Sequence, residues 1–283
     1  MGKIDLNKGE PITPRKESKI DIKGYQAALL DLRNGFISIY IWPMLGWLEI
    51  KQRYRRSVIG PFWLTISTAV MVGCMGPLYG KLFGTDISSY FAYFAVGFIV
   101  WIFLSSLISD SCAVFTSSAG FLQQMKMPYS IYALKMVYKN LIIFMHNFLI
   151  IVVVLLFYPP PISFITSLWL LGVFFIVLNA VWVGIVLGLI CARFRDVQQI
   201  VQSLIQLGFF LTPIIWKPAM LGKYSYVVYF NPLYYFIEIV RAPLITGSTR
   251  LLDWVVVVGI TILGYLVMLY CFARYRSQIS YWV

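Results

Sequence analysis

Few side chains in this sequence could react, and most of those that could are placed to position structure. The single histidine, His146, stands beside Asn147 in the middle of an apolar run. With a single histidine, neither a zinc cluster nor a Ser/His/Asp triad with a redundant base is expected, and eleven scattered carboxylates argue against a clustered acid–base site. Asp110 and Asp253 fall at the ends of apolar runs, and only Glu238 lies deeper. Such a pattern is poor in the intramembrane carboxylates that proton-coupled carriers use. No G-x-x-x-x-G-K-[ST] phosphate loop occurs, so the chain has no Walker-type ATP site of its own. Cys74, Cys112, Cys191 and Cys271 lack metal-knuckle or secreted-disulfide spacing and read as small apolar residues.

Three charged groupings carry positional meaning. Glu238 and Arg241 are three apart, so on a helix they share a face; they pair with each other, or one of them lines a hydrated exit. The run Glu49-Ile50-Lys51-Gln52-Arg53-Tyr54-Arg55-Arg56 is either a polybasic anchor for anionic lipid headgroups or an interface helix that also touches a cytoplasmic partner. In Arg193-Phe194-Arg195-Asp196, Asp196 is expected to cap the following helix while Gln199 reaches back, a variant of the capping box and a rigid corner. His146 and Asn147 need partners inside a span and are expected to hydrogen-bond between helices, with a substrate contact as the alternative. Gly184 and Gly188 form a G-x-x-x-G pair that suits close helix contact.

The elements that must position these residues are set by lipid. The chain is 60% hydrophobic and 12% charged, where soluble domains carry roughly a quarter charged residues. Mean hydropathy is +0.80. Crossing a hydrocarbon core of about 30 Å takes about 20 apolar residues, and six stretches approach this, near 58–80, 90–110, 131–158, 163–191, 199–216 and 253–273. Of 23 Lys and Arg, eleven precede Ser57, ahead of the first long apolar run, which places the N-terminus in the cytoplasm. Six spans then put Lys126, the Arg193/Arg195 loop, and Arg274 and Arg276 on the same side, with both termini cytoplasmic. A net charge of +12 on such a chain is a question of membrane side, and no nucleic-acid partner is expected. The opening residues lack the order of a cleaved signal peptide, so none is expected.

Residues 1–24 are polar and broken by Gly9, Pro11, Pro14 and Gly24, and read as a flexible cytoplasmic tail. Residues 25–56 form amphipathic interface helices, with Leu29, Leu32, Phe36 and Ile39 on one face, that lie on the membrane. Residues 57–283 form the transmembrane domain. Pro159-Pro160-Pro161 suits a tight hairpin between the third and fourth spans. Asn231-Pro232 reads as a helix start, and a helix from Leu233 to about Leu244 is too short to cross. It is expected to be half of a re-entrant pair at the outer mouth, between the fifth and sixth spans. The fold class is therefore all-α: a polytopic membrane protein of six spans, with an N-terminal interface helix and re-entrant outer helices.

Three ordered motifs are similar to those of one family. Arg53-Tyr54-Arg55-Arg56-Ser57-Val58-Ile59-Gly60-Pro61-Phe62-Trp63 resembles the R-Y-x-x-S-x-L-G-P-x-W approach to the first span of ABC-2 permeases that export polysaccharide, with Ile59 in place of leucine. Arg193-Phe194-Arg195-Asp196 and Leu211-Thr212-Pro213-Ile214-Ile215-Trp216 resemble the family's R-F-R-D and T-P-x-x-W/Y segments. Asn231-Pro232-Leu233 through Arg241-Ala242-Pro243-Leu244 and Gly247 is similar to its N-P-L…R-x-x-L…G element. Gly120-Phe121-Leu122-Gln123-Gln124 before Pro128, and Asn140-Leu141-Ile142-Ile143 with His146-Asn147, resemble the O-antigen branch.

The resemblance implies a homodimer of six-span subunits in the bacterial inner membrane of a Gram-negative cell. Two copies of a separate nucleotide-binding ATPase would bind the ATP and Mg that this chain does not, and the cargo would be a lipid-linked polysaccharide. It implies an interface helix over 44–56, a coupling helix over 117–128 and outer gate helices over 218–246. Phe62, Trp63, Phe209, Phe210 and Trp216 are the candidates for the glycan path between the first and fifth helices. Gln123, Lys126, Arg193, Arg195 and Asp196 are those for ATPase coupling, and Asn231, Pro232, Glu238 and Arg241 those for the gate. Capsule and teichoic acid permeases share much of the pattern. A gradient-driven lipid-linked sugar flippase is a further alternative, and a membrane glycosyltransferase or acyltransferase would need the acid–base site this chain lacks.

Overall fold

A computed structural model describes residues 22–283 except Arg56, Val58, Pro61 and Ile162. The expected tail lies outside the described residues up to position 21; its last three residues already belong to the first helix. The described residues are helical, with turns and no strand. Five helices are long and apolar enough to cross a bilayer: α3 (Phe62–Leu82), α4 (Ile87–Cys112), α6 (Ser130–Phe157), α7 (Leu168–Arg193, preceded by a 3₁₀ turn at Phe164–Ser167) and α10 (Leu251–Tyr275). The fifth apolar stretch forms α8 (Val197–Leu211), whose 15 residues rise only about 22 Å. It ends at Thr212-Pro213, where proline supplies no amide for the helix. Shorter helices complete the chain: α1 (Ile22–Ile37), α2 (Ile41–Arg53), α5 (Ala119–Gln124), α9 (Pro232–Thr246) and α11 (Ile279–Trp282).

α4 is the central post. It packs on α3, α6, α7, α8 and α9, and its apolar window is 67% covered by the rest of the chain against 11% for α3. The core runs along it through Tyr90, Phe94, Phe98, Phe103 and Leu107, met by Phe144 of α6 and Ile185 of α7. Phe103 and Phe144 stack with centroids 4.5 Å apart. The G-x-x-x-G expectation holds: a Cβ on Gly188 would sit 3.0 Å from the Phe115 ring, and one on Gly184 would sit 2.9 Å from Met136. A side chain at position 188 would press on the Phe115 ring, whereas one at 184 would have to displace the end of the Met136 side chain.

The N-terminal helices also pack on the bundle, through a face other than the apolar stripe. Leu29, Phe36 and Ile39 are uncovered by the chain, as a lipid-facing stripe would be, while the packed face of α1 is Ala28, Asp31 and Gly35. α1 rests on α6 and α10, and α2 rests on α6. The two helices are therefore docked on the bundle as well as amphipathic.

Candidate functional site

At one end of the bundle the non-helical stretch after α8 carries backbone carbonyls that need donors. Tyr93 Oη donates to the Pro213 carbonyl at 2.9 Å and the Trp216 carbonyl at 3.2 Å, and Tyr90 Oη donates to the Ile215 carbonyl. Arg241 completes the set. Its Nη1 donates to the Pro213 carbonyl at 2.7 Å, while Nη2 and Nε donate to Glu238 Oε2 at 2.6 and 3.0 Å. The guanidinium also lies 4.0 Å from the centroid of the Tyr93 ring. The expected Glu238–Arg241 pair is thus present, and Arg241 has a second task that spacing could not reveal: it holds broken backbone. Buried Asp253, in the first turn of α10, has an Oδ1 with no hydrogen-bond partner among the described residues.

α9 starts where the sequence places it. Asn231 Oδ1 accepts from the Leu233 amide at 3.0 Å with Pro232 at the first helical position, and Asn231 Nδ2 donates to Thr212 Oγ1 at 2.8 Å. The helix stops at Gly247, whose φ of 61° is the left-handed conformation that glycine adopts without a Cβ clash. Before it, Pro218–Phe230 is a 3₁₀ segment bent at Gly222, with Tyr224, Tyr226 and Phe230 uncovered.

The five path candidates do not form one cluster. Phe62 meets His146 edge to face at 5.4 Å, while Trp63 and Phe210 are uncovered by the chain. Phe209 packs on Trp101 and Phe98 of α4, with centroids 5.8 and 6.1 Å apart. The Trp216 indole donates to the Phe210 carbonyl at 3.1 Å. The expectation of interhelical hydrogen bonds from His146 and Asn147 is corrected. His146 Nδ1 is 2.8 Å from the Ile142 carbonyl of its own helix, and Asn147 Oδ1 is buried without a partner among the described residues.

The opposite end holds the coupling candidates. α5 is followed by an extended stretch, leaving Gln123 and Lys126 exposed. A cavity of ≈ 490 Å³ opens beside Lys126, bounded by Asp31 and Asn34 of α1 and by Arg276. Arg193, Arg195 and Asp196 are exposed, and the Arg193 guanidinium lies 5.6 Å from the Trp282 ring centroid. α11 packs on both α5 and α7, so these two sets of residues flank it. The capping-box expectation is corrected: Asp196 is itself in helical conformation and its side chain caps nothing. Its carbonyl takes the Gln199 and Ile200 amides instead.

The same end contains two polar joints that sequence reasoning missed. Asp31, buried on α1, accepts from the Tyr129 and Ser130 amides at 3.1 and 3.0 Å, capping α6 from another helix, and from Arg276 Nε at 2.7 Å. Lys139 Nζ lies 2.7 Å from Glu49 Oε1 and 2.8 Å from Asp110 Oδ2, and Lys135 Nζ lies 3.0 Å from Glu49 Oε2. Asn140 Nδ2 donates to Asp110 Oδ2 at 2.9 Å, and Lys135 Nζ donates to Ser118 Oγ at 3.1 Å. The available signal was Lys135 and Lys139, four apart at the head of an apolar run. Two cations there require carboxylates from other helices.

An all-helical body of at least five spanning helices, with satisfied non-helical backbone at one end and exposed basic corners at the other, is a polytopic membrane protein of the transporter type. The sequence matches the family model described as ABC-2 type transporter over residues 42–245. The chain belongs to that family, as a membrane-embedded permease. Two O-antigen export system permease proteins RfbA of Klebsiella pneumoniae are each 24% identical to it over 191 residues, 65% of this chain and 72% of the relative. A permease of the same description from Myxococcus xanthus is 23% identical over 168 residues, 59% of this chain and 65% of the relative.

Proposed function

We propose that this chain is the membrane-spanning subunit of an exporter that moves a lipid-linked polysaccharide of the O-antigen class across the bacterial inner membrane. Its energy comes from ATP hydrolysed, with Mg, in a separate nucleotide-binding subunit. The observation that carries this reading is the family match over residues 42–245, with relatives described as O-antigen export permeases, on a chain without a phosphate loop. Two copies of the permease pair with two copies of the ATPase. In this arrangement α8 and the Thr212–Trp216 stretch together make the fifth of six crossings, and Pro218–Thr246 makes a re-entrant outer gate. Both termini and the basic corners face the cytoplasm, in keeping with the excess of Lys and Arg there.

The path runs between α3 and α8 of the two copies, where Phe62, Trp63, Phe209, Phe210 and Trp216 offer aromatic faces to sugar C–H groups. Gate opening at Asn231–Arg241 follows a push on Gln123, Lys126, Arg193, Arg195 and Asp196. Reconstitution of the permease with its ATPase in vesicles tests the reading. Glycan export should require ATP hydrolysis, and Arg195→Ala or Lys126→Ala should leave hydrolysis running while export falls at least tenfold. Export by the permease alone, or wild-type export in both variants, would overturn it.

A further inference from the structure

The charged cluster on α6 has no place in a lipid-facing helix unless it joins that helix to something. α2 presents Trp42, Gly46, Glu49 and Ile50 at positions i, i+4, i+7 and i+8, a single stripe along one face. That stripe meets Lys135, Tyr138 and Lys139 of α6. Trp42 and Tyr138 are edge to face at 5.5 Å. A Cβ on Gly46 would approach the Tyr138 ring to 2.9 Å and the Lys135 carbonyl to 3.1 Å, so the helices are already as close as backbone allows. Glu49 then bridges both ammoniums, and Lys139 passes the contact to Asp110 in the last turn of α4. Two cations face two carboxylates, and the lysine side chains are only 11% and 6% exposed. The cluster is charge-balanced, and with the ammoniums out of water, separating it would strand buried charge. Away from that stripe, α2 leaves Trp47 and Lys51 uncovered for whatever presses on it.

From this geometry we infer that Glu49, through Lys135, Lys139 and Asp110, is the positioning residue that makes α2 move as one body with α6 and the central post α4, so that a push on the interface helix reaches the bundle. The inference rests on the exporter reading and names the joint through which coupling passes. Glu49 touches neither glycan nor nucleotide. Its loss should change how much glycan moves per ATP and leave hydrolysis itself in place. A loose α2 would absorb the stroke.

The test uses the permease–ATPase complex in vesicles, reading export and hydrolysis together. Glu49→Gln, which keeps size and removes charge, should hydrolyse ATP at the wild-type rate but export at least tenfold less per ATP. In the same background, Trp42→Cys with Tyr138→Cys, joined by a short bifunctional thiol reagent and verified as linked by gel shift, should restore export per ATP; the reagent alone on Glu49→Gln should not. Unchanged export per ATP in Glu49→Gln, or no recovery in the linked protein, would sink the inference. If Glu49→Gln fails to assemble with the ATPase, Glu49→Asp, which withdraws the carboxylate by one methylene, is read by the same ratio against the same two outcomes. Absence of ATP-dependent export from the wild-type complex would instead count against the exporter reading.

Discussion

Arg241 has three guanidinium nitrogens engaged and its charge neutralised by Glu238 within one helical turn. Its worth lies in doing two jobs at once, because the ion pair alone would contribute little beyond the cost of burying it. Arg241→Leu leaves Glu238 unpaired and the Pro213 carbonyl short of a donor, and should lower stability by about 3–5 kcal/mol. Arg241→Lys retains the charge, but a single ammonium cannot span Glu238, Pro213 and the Tyr93 face together, so an intermediate loss is expected. Thermal unfolding of the detergent-solubilised protein checks the order. A leucine variant as stable as the wild type would show that Tyr90 and Tyr93 satisfy this backbone unaided.

At the scale of elements, α1 and α2 are attached to the spans by carboxylates, and this gives the attachment a pH dependence. Burial works to raise the pKa of Glu49, but the hydrogen bond and charge of Lys139, and then those of Lys135, outweigh it and hold the carboxyl below its ordinary value of 4.5. A depressed folded-state pKa stabilises the docked helix fully above pH 4.5 and loses that contribution as the pH falls below it through the folded value. Hydrogen exchange over 41–53 should therefore be constant from pH 7 to 5, after correction for intrinsic rates, and rise below pH 4.5. The same rise in Glu49→Gln at pH 7, with no further pH response, identifies the group. α8 illustrates the opposite case, an element whose end is fixed by covalent geometry at Pro213, after which the carbonyls of Pro213, Ile215 and Trp216 are collected by α4 and α9.

For the whole molecule, the question is which uncovered apolar faces meet lipid and which meet a second copy. α3, α8 and α10 all leave large side chains uncovered, among them Trp63, Phe210 and Leu266. If two copies enclose a path between α3 and α8, then Phe210→Cys in a Cys74→Ser background should give covalent dimers in membranes treated with a thiol cross-linker. Leu266→Cys, on α10, should not. Equal or reversed yields would move the subunit contact to another face.

The sequence by itself determined the material and the punctuation of this protein. Apolar runs marked six stretches, five of which are helices of span length; Asn231-Pro232 set the start of α9, and Glu238 and Arg241 were paired by their spacing, since each of these is decided within a few turns of chain. Tertiary structure alone decided what crosses between helices. Asp31 caps a helix that begins 99 positions later, and Glu49 finds Lys139 across 90. No local period records such partners, because a buried charge is satisfied by whichever helix packing brings within hydrogen-bond reach. The same holds for Asp196: its residue type is that of a cap, but the tight corner after Arg193 puts it in helical conformation and its carbonyl, not its side chain, receives the next amides.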